Sequence, residues 1–157
     1  MTHGERVAGV DARMREQVGG LGPGIEFAPS PLTVAPPLAD ATVALVTTAA
    51  LMHPGEPWSA GTHEYRVFGR DELDDVIVGH NSTNFDRSGF IADRNVVFPI
   101  DRLLEMEAEG TIGKVAPRHL AFLGSTFELS TFKLDTGPAA AKLLLDDGVD
   151  VVLLTPV

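Results

Sequence analysis

No cysteine occurs anywhere in the 157 residues. That absence excludes disulfides, thiolate metal sites and a thiol nucleophile supplied by these residues. Basic residues are scarce as well, 12 Lys and Arg against 22 Asp and Glu, and the formal net charge is −10 with no Lys/Arg cluster. Such a balance repels phosphate backbones, so no nucleic-acid partner is expected. No apolar stretch approaches the ~20 residues that span a bilayer, and MTHGERVAGVDARMREQ lacks the apolar core of a signal peptide. The expectation is a cytoplasmic protein without a membrane partner. GxGxxG, GxxxxGK[ST], GxSxG, HxH and HExxH are all missing. Dinucleotide, nucleotide and α/β-hydrolase readings lose their usual support, and no metal is expected.

What is present fits a folding chain. Hydrophobic residues make up 44% and charged residues 22%, near the globular average, and the length suits one domain. Residues 1–41 differ in texture, with six glycines and the prolines Pro23, Pro29, Pro31, Pro36 and Pro37, and read as a Pro/Gly-rich arm or linker. Residues 5–18 could form a short helix, against which Gly9 counts. From Thr42 to Val157 the text reads as an α/β domain. TVALVTTAAL is a β-branched and aliphatic run expected as a strand buried on both faces, and a second strand is expected at Asp75–Val78. The segment NSTNFDRSGFIADRN shows no helical or alternating period and reads as a long loop. Asp101 suits the N-cap of a helix with Ile100, Leu103, Leu104 and Ala108 near one face and Gly110 at its stop. A further apolar stretch surrounds Ala121–Leu123. Pro138 and Gly148 bracket a last helix, and VDVVLLTPV closes the chain as another strand expected to be buried on both faces. Strand, helix, strand with continuous aliphatic runs predicts an open, doubly wound, mostly parallel sheet with flanking helices.

In such sheets ligands bind beyond the carboxyl ends of the strands, which predicts that the loops after residues 51 and 80 share an edge with the end of VDVVLLTPV. His80 stands at a strand end before Asn81, Ser82, Thr83, Asn84 and Asp86. With a carboxylate such as Asp86 or Asp93 to orient it, its imidazole could carry a proton near pH 7; the plainer alternative is a histidine bonded to its own loop. His80 and Asp86 are therefore the catalytic candidates. Arg87, Asp93 and Arg94 could clamp a carboxylate, or could pair with one another to hold the loop. His53, in the Pro/Gly loop MHPGEPW, and His119, after Pro117 and Arg118, complete the substrate-binding candidates. The plainer reading of His53 is a solvated surface side chain, and of Glu105, Glu107 and Glu109 a solvated helix face. A metal-dependent hydrolase built on His53, His80 and His119 is a minor third reading.

The order of motifs carries a resemblance. LVTTAALMHPGEP, VGHNSTNFD, DRNVVFPIDRLLEMEAEGTIGKVAPRHLAFLG and LLLDDGVDVVLLTPV resemble the selenoprotein B family of the glycine, sarcosine, betaine and D-proline reductases, over residues 42–157. The resemblance implies an oxidoreductase component of amino acid metabolism that cleaves a C–N bond reductively with a dithiol/disulfide couple. Its substrate would be a small amine or amino-acid derivative. Its partners would be other reductase subunits, one bearing a carbonyl group, or a thioredoxin-like reductant, in an oligomer. In that family the strand matching VDVVLLTPV is followed by a selenocysteine or cysteine, so the cofactor group is expected beyond residue 157 and the chain as given to be truncated, through an in-frame UGA, fragmentation or processing. A selenolate or thiolate attacks the carbon that bears the activated amine, and His80 with the Asp86/Arg87 loop would bind the carboxylate and protonate the leaving amine. The alternative from another class is a non-catalytic binding or assembly subunit that docks on a cysteine-bearing partner chain.

Overall fold

β1 (Thr42–Thr47, TVALVT) organises the sheet because its side chains alternate between two apolar layers. Val43 and Leu45 enter one cluster with Phe68, Ile100, Leu103 and Val115. Ala44 enters another with Ala116, Leu120, Ala140 and Leu144. A strand covered on both faces needs no polar alternation, hence its continuous aliphatic run.

The computed structural model describes residues 33–80, 87–124 and 129–157, together with residues 12 and 16. The chain divides into two compact units, Met1–Thr33 and Val34–Val157. In the first unit Ala12 and Glu16 are helical and exposed, and the rest of the helix expected over 5–18 lies outside the described residues. In the second, Val34–Ala41 precedes β1, and the N–H of Gly113 and of Lys114 donate to the carbonyls of Leu38 and Ala41. This stretch, read from composition as part of the arm, is bonded to the strand beside β1.

Along the second unit run β2 (Leu51–Met52), β3 (Tyr65–Gly69), β4 (Ile77–Val78), α1 (Ser88–Ala92) and α2 (Ile100–Ala108). Then follow β5 (Lys114–Val115), β6 (Arg118–Phe122), a π-helical turn Phe132–Thr136, α3 (Gly137–Asp146) and β7 (Val151–Thr155). β7 pairs in parallel with β1 from Val43↔Val151 to Thr47↔Thr155. β5 and β6 therefore share the other edge of β1, at Val43↔Val115 and Val46↔Leu120. Between those pairs, β5 and β6 together advance two residues more than β1, a bulge at Pro117, which has no N–H to contribute to a ladder. β3 runs antiparallel to β6, from Tyr65↔Phe122 to Gly69↔Arg118. The sheet order is β7, β1, β5/β6, β3, so it is a mixed sheet with α2 packed in one apolar layer and α3 in the other.

Several expectations are corrected. The strand expected over Asp75–Val78 shrinks to Ile77–Val78, which pairs antiparallel with β2 outside the main sheet. The long loop contains α1, because Phe90 buries into the core, and a 3-10 turn at Arg94–Val96. Pro99 rather than Asp101 is the N-cap of α2, and the Asp101 carboxylate accepts from Asn95 and Arg94. The largest correction concerns β7. Among the described residues it pairs only with β1, and Val152, Leu153 and Leu154 are 39%, 41% and 67% exposed instead of buried. No helix among the described residues is long and apolar enough to cross a membrane.

Candidate functional site

The carboxyl ends of β1 and β7 carry three threonine hydroxyls. Thr47 is fully buried; its hydroxyl faces the Val97 carbonyl at 3.0 Å and the Thr155 carbonyl at 3.1 Å, and accepts from the Ala49 N–H at 3.1 Å. The Thr155 hydroxyl donates to the same Val97 carbonyl at 2.8 Å. Thr48 reaches across to the end of β7, where its hydroxyl accepts from the Val157 N–H at 2.9 Å and lies 3.5 Å from the Val157 carbonyl. Beyond Thr48 the chain turns through Ala50, at φ 52° the one non-glycine in the left-handed region among the described residues. Its N–H donates to Phe122 and its carbonyl accepts from Gly79, so tertiary hydrogen bonds hold a backbone that alanine disfavours.

That Gly79 contact delivers His80 to this edge. His80 is buried at 5% exposure, and its Nε2 lies 3.3 Å from the position a Cβ would take on Gly124. The Thr48 and Val157 carbonyl oxygens lie 3.2 and 3.4 Å from the same point. The ends of β1 and β7 and the His80 imidazole thus converge on Gly124, just past β6. Burial, with a smaller contribution from the Arg87 guanidinium, lowers the His80 pKa, so the ring is neutral at pH 7. Arg87 also donates from Nη1 to the His80 carbonyl at 3.2 Å.

The other candidates are distributed elsewhere. Asp86 lies outside the described residues. Asp93 caps the 3-10 turn by accepting from the N–H and side chain of Asn95, which hold its carboxyl below the usual range. Arg94 donates to the Leu73 carbonyl and to Asp101, so its guanidinium is engaged in joining loop to helix. It also lines a cavity of about 460 Å³ with Asp74, Val76, Val78, Phe90 and Ile91. His53 sits at the other end of the β2/β4 ladder from His80, its Nδ1 2.8 Å from Asp75 and its ring against Phe68.

His119 is enclosed in the core. Its Nδ1 accepts from the Leu45 N–H at 3.1 Å, standing in for the backbone carbonyl that the Pro117 bulge carries out of register. The acceptor role places the proton on Nε2, which is buried without a hydrogen-bond partner. Burial, with Arg70 nearby, pushes the His119 pKa down to about 4. No group of three or more His, Asp or Glu among the described residues could hold a metal ion.

Sequence reasoning passed over Thr47, Thr48, Thr155 and Gly124. The threonines were absorbed as β-branched strand formers, and only their position as the last polar residues of two apolar runs could have marked them. Nothing local distinguishes Gly124.

The same 28–157 span that contains these elements matches the family model "Glycine/sarcosine/betaine reductase selenoprotein B". D-proline reductase subunit gamma of Acetoanaerobium sticklandii is 37% identical over 121 residues, covering 75% of this chain and 49% of that protein. Sarcosine reductase complex component B subunit beta of Peptoclostridium acidaminophilum is 30% identical over 121 residues, covering 72% of this chain and 27% of that protein. Glycine reductase complex component B subunit gamma of Carboxydothermus hydrogenoformans is 32% identical over 126 residues, covering 75% and 28%. The chain thus spans about half the length of the first relative and little over a quarter of the other two. No solved structure matches it.

Proposed function

Because this chain belongs to the glycine, sarcosine and betaine reductase selenoprotein B family, we propose that it forms the substrate edge of a reductase that cleaves a C–N bond in a small amine or amino-acid derivative. The convergence of Thr48, His80, Gly124 and Val157 at the carboxyl edge of the sheet is the observation that carries this reading. The parallel β1/β7 pair, with α2 in one apolar layer and α3 in the other, also supports it. Other reductase subunits, one bearing a carbonyl group that activates the amine, and a thioredoxin-like dithiol donor would be its partners.

The redox nucleophile comes from outside these 157 residues, which contain no cysteine. When present, a selenocysteine or cysteine would supply the selenol or thiol that, on losing its proton, displaces the amine, and the dithiol would supply the two electrons. Val157, at the end of β7, brings the chain to the edge that holds His80, which is where such a group would act. The part of this chain is to move a proton. His80, neutral at pH 7, takes a proton from the nucleophile and returns it to the nitrogen as the C–N bond breaks, so the amine leaves uncharged or protonated rather than as an anion. Arg87, beside His80 and exposed, offers a guanidinium to a substrate carboxylate.

Reading the source gene past codon 157 tests the proposal. A UGA followed by an open frame, or a cysteine codon with a second cysteine within a few codons, is expected. A different sense codon without a nearby cysteine overturns the catalytic reading. It would favour a non-catalytic subunit that docks on a cysteine-bearing chain, a reading to which the exposed apolar edge of β7 lends support.

A further inference from the structure

Gly124 does not adopt the left-handed backbone seen at Gly55, Gly61, Gly110 and Gly148. Its conformation is open to any residue, so glycine at 124 is explained by space and not by φ. A methyl there would press on the Thr48 carbonyl, the His80 imidazole and the Val157 carbonyl together, each at 3.2–3.4 Å. Two of these atoms are backbone, and His80 is buried at 5% exposure, so none can swing away freely. Thr48 acts on the same point from the other side. Its hydroxyl holds the Val157 N–H at 2.9 Å, its own N–H donates to the Thr155 carbonyl at 3.3 Å, and both contacts tie positions more than 100 residues apart in sequence.

We propose that Thr48 and Gly124 are positioning residues, Thr48 clasping the backbone at Val157 and Gly124 keeping the gap through which that backbone faces His80 Nε2. The inference rests on the reading of His80 as the proton carrier and adds two residues that act through it. Their effect is geometric. Misplacement by about 1 Å at a reacting group can cost on the order of 100-fold in rate, so a clasp and a gap of this size matter without touching substrate.

The test uses Thr48→Val, Thr48→Ser and Gly124→Ala, each in two settings. In the 157-residue chain, NMR follows hydrogen exchange at the Val157 amide and the through-space contact between the His80 ring and the Gly124 α-protons. Thr48→Val should lower Val157 protection by about tenfold or more, and Thr48→Ser should retain it, because serine keeps the acceptor oxygen. In the reductase assembled with its partner subunits, Thr48→Val and Gly124→Ala should lower kcat by about 10- to 100-fold with little change in KM, and Thr48→Ser should restore it. Wild-type kcat in Thr48→Val beside a lost Val157 contact overturns the proposal. So does unchanged Val157 protection in that variant. If the wild-type assembly turns over no amine, the functional reading fails by itself; the Val157 amide and the His80–Gly124 contact then decide the positioning claim, which a valine/serine difference sustains. If Gly124→Ala fails to fold, the valine/serine pair still decides.

Discussion

Arg70 grips Glu107 with both arms of its guanidinium, Nη1 to Oε1 at 3.0 Å and Nη2 to Oε2 at 2.6 Å. The same carboxylate accepts from the Val115 N–H at 2.9 Å, so one side chain on α2 joins the turn after β3 to the short strand β5. Glu107 reads in sequence as part of a solvated face with Glu105 and Glu109. Its side chain is only 21% exposed in the fold.

Glu107→Gln should therefore destabilise the domain, because it removes the charge from a bidentate pair and weakens the acceptor for Val115. Charge-assisted hydrogen bonds of this kind contribute about 1.5–3 kcal/mol, and chemical denaturation at pH 7 would register the loss. The Arg70 bonds are the main cause that lowers the Glu107 pKa. That contribution is present above the ordinary carboxylate range and fades as pH falls through the folded value, so the variant should lose less stability in acid than the wild type does. An unchanged denaturation midpoint would make the pair ornamental.

His119 sets a second pH dependence at higher pH. Its folded pKa of about 4 lies below the ordinary histidine value of 6.5, so the unfolded chain binds the proton more readily. Stability is fully present above pH 6.5 and is lost progressively as pH falls from there toward 4. A shift of this size corresponds to about 3 kcal/mol. His80, whose pKa burial also lowers, adds in the same direction. Denaturation curves across this window should show the slope, and His119→Leu should flatten it. The same change should cost about 1–3 kcal/mol at pH 7, since the Leu45 N–H loses its acceptor. A wild-type slope retained in His119→Leu would assign the dependence elsewhere.

His80→Gln separates chemistry from scaffold. In the assembled reductase the chemical step should slow by about 10²–10⁴-fold, the usual contribution of a general acid or base. Melting temperature should change little, since glutamine preserves size and hydrogen bonding. A lowered melting temperature with unchanged turnover would assign His80 to the loop scaffold and send the search for the proton carrier to His53, already paired with Asp75.

β7 should make the isolated 157-residue chain associate. An edge strand that exposes Val152, Leu153 and Leu154 presents both apolar surface and open backbone groups. Sedimentation over a range of concentrations should show reversible self-association, and Leu154→Lys, at the most exposed of the three, should reduce it without loss of stability. A monomer at all concentrations would mean that the edge is protected.

Much of this arrangement could be read locally. The aliphatic run at Thr42–Thr47 forms a strand buried on both faces because every side chain in it is apolar or β-branched. α3 begins with Gly137 and Pro138 in its first turn, and Gly148, at φ 71°, turns the chain just past its end, as the placing of proline and glycine predicts. The motif order carried the family, but the rule for parallel sheets does not account for His80, which follows a strand outside the main sheet and reaches the edge through the Gly79 bond to Ala50. The remainder depended on which segments meet. VDVVLLTPV has the composition of a central strand, yet it pairs with β1 alone among the described residues, and no residue within it encodes that position. His119 accepts from Leu45 because a bulge at Pro117 shifts the register, and Glu107 faces Arg70 because α2 packs beside the turn after β3. Thr48 finds Val157 across 109 positions of sequence. Propensity and periodicity act between near neighbours along the chain, whereas these pairings are decided by how the sheet closes, and only the folded chain brings the partners within hydrogen-bond reach.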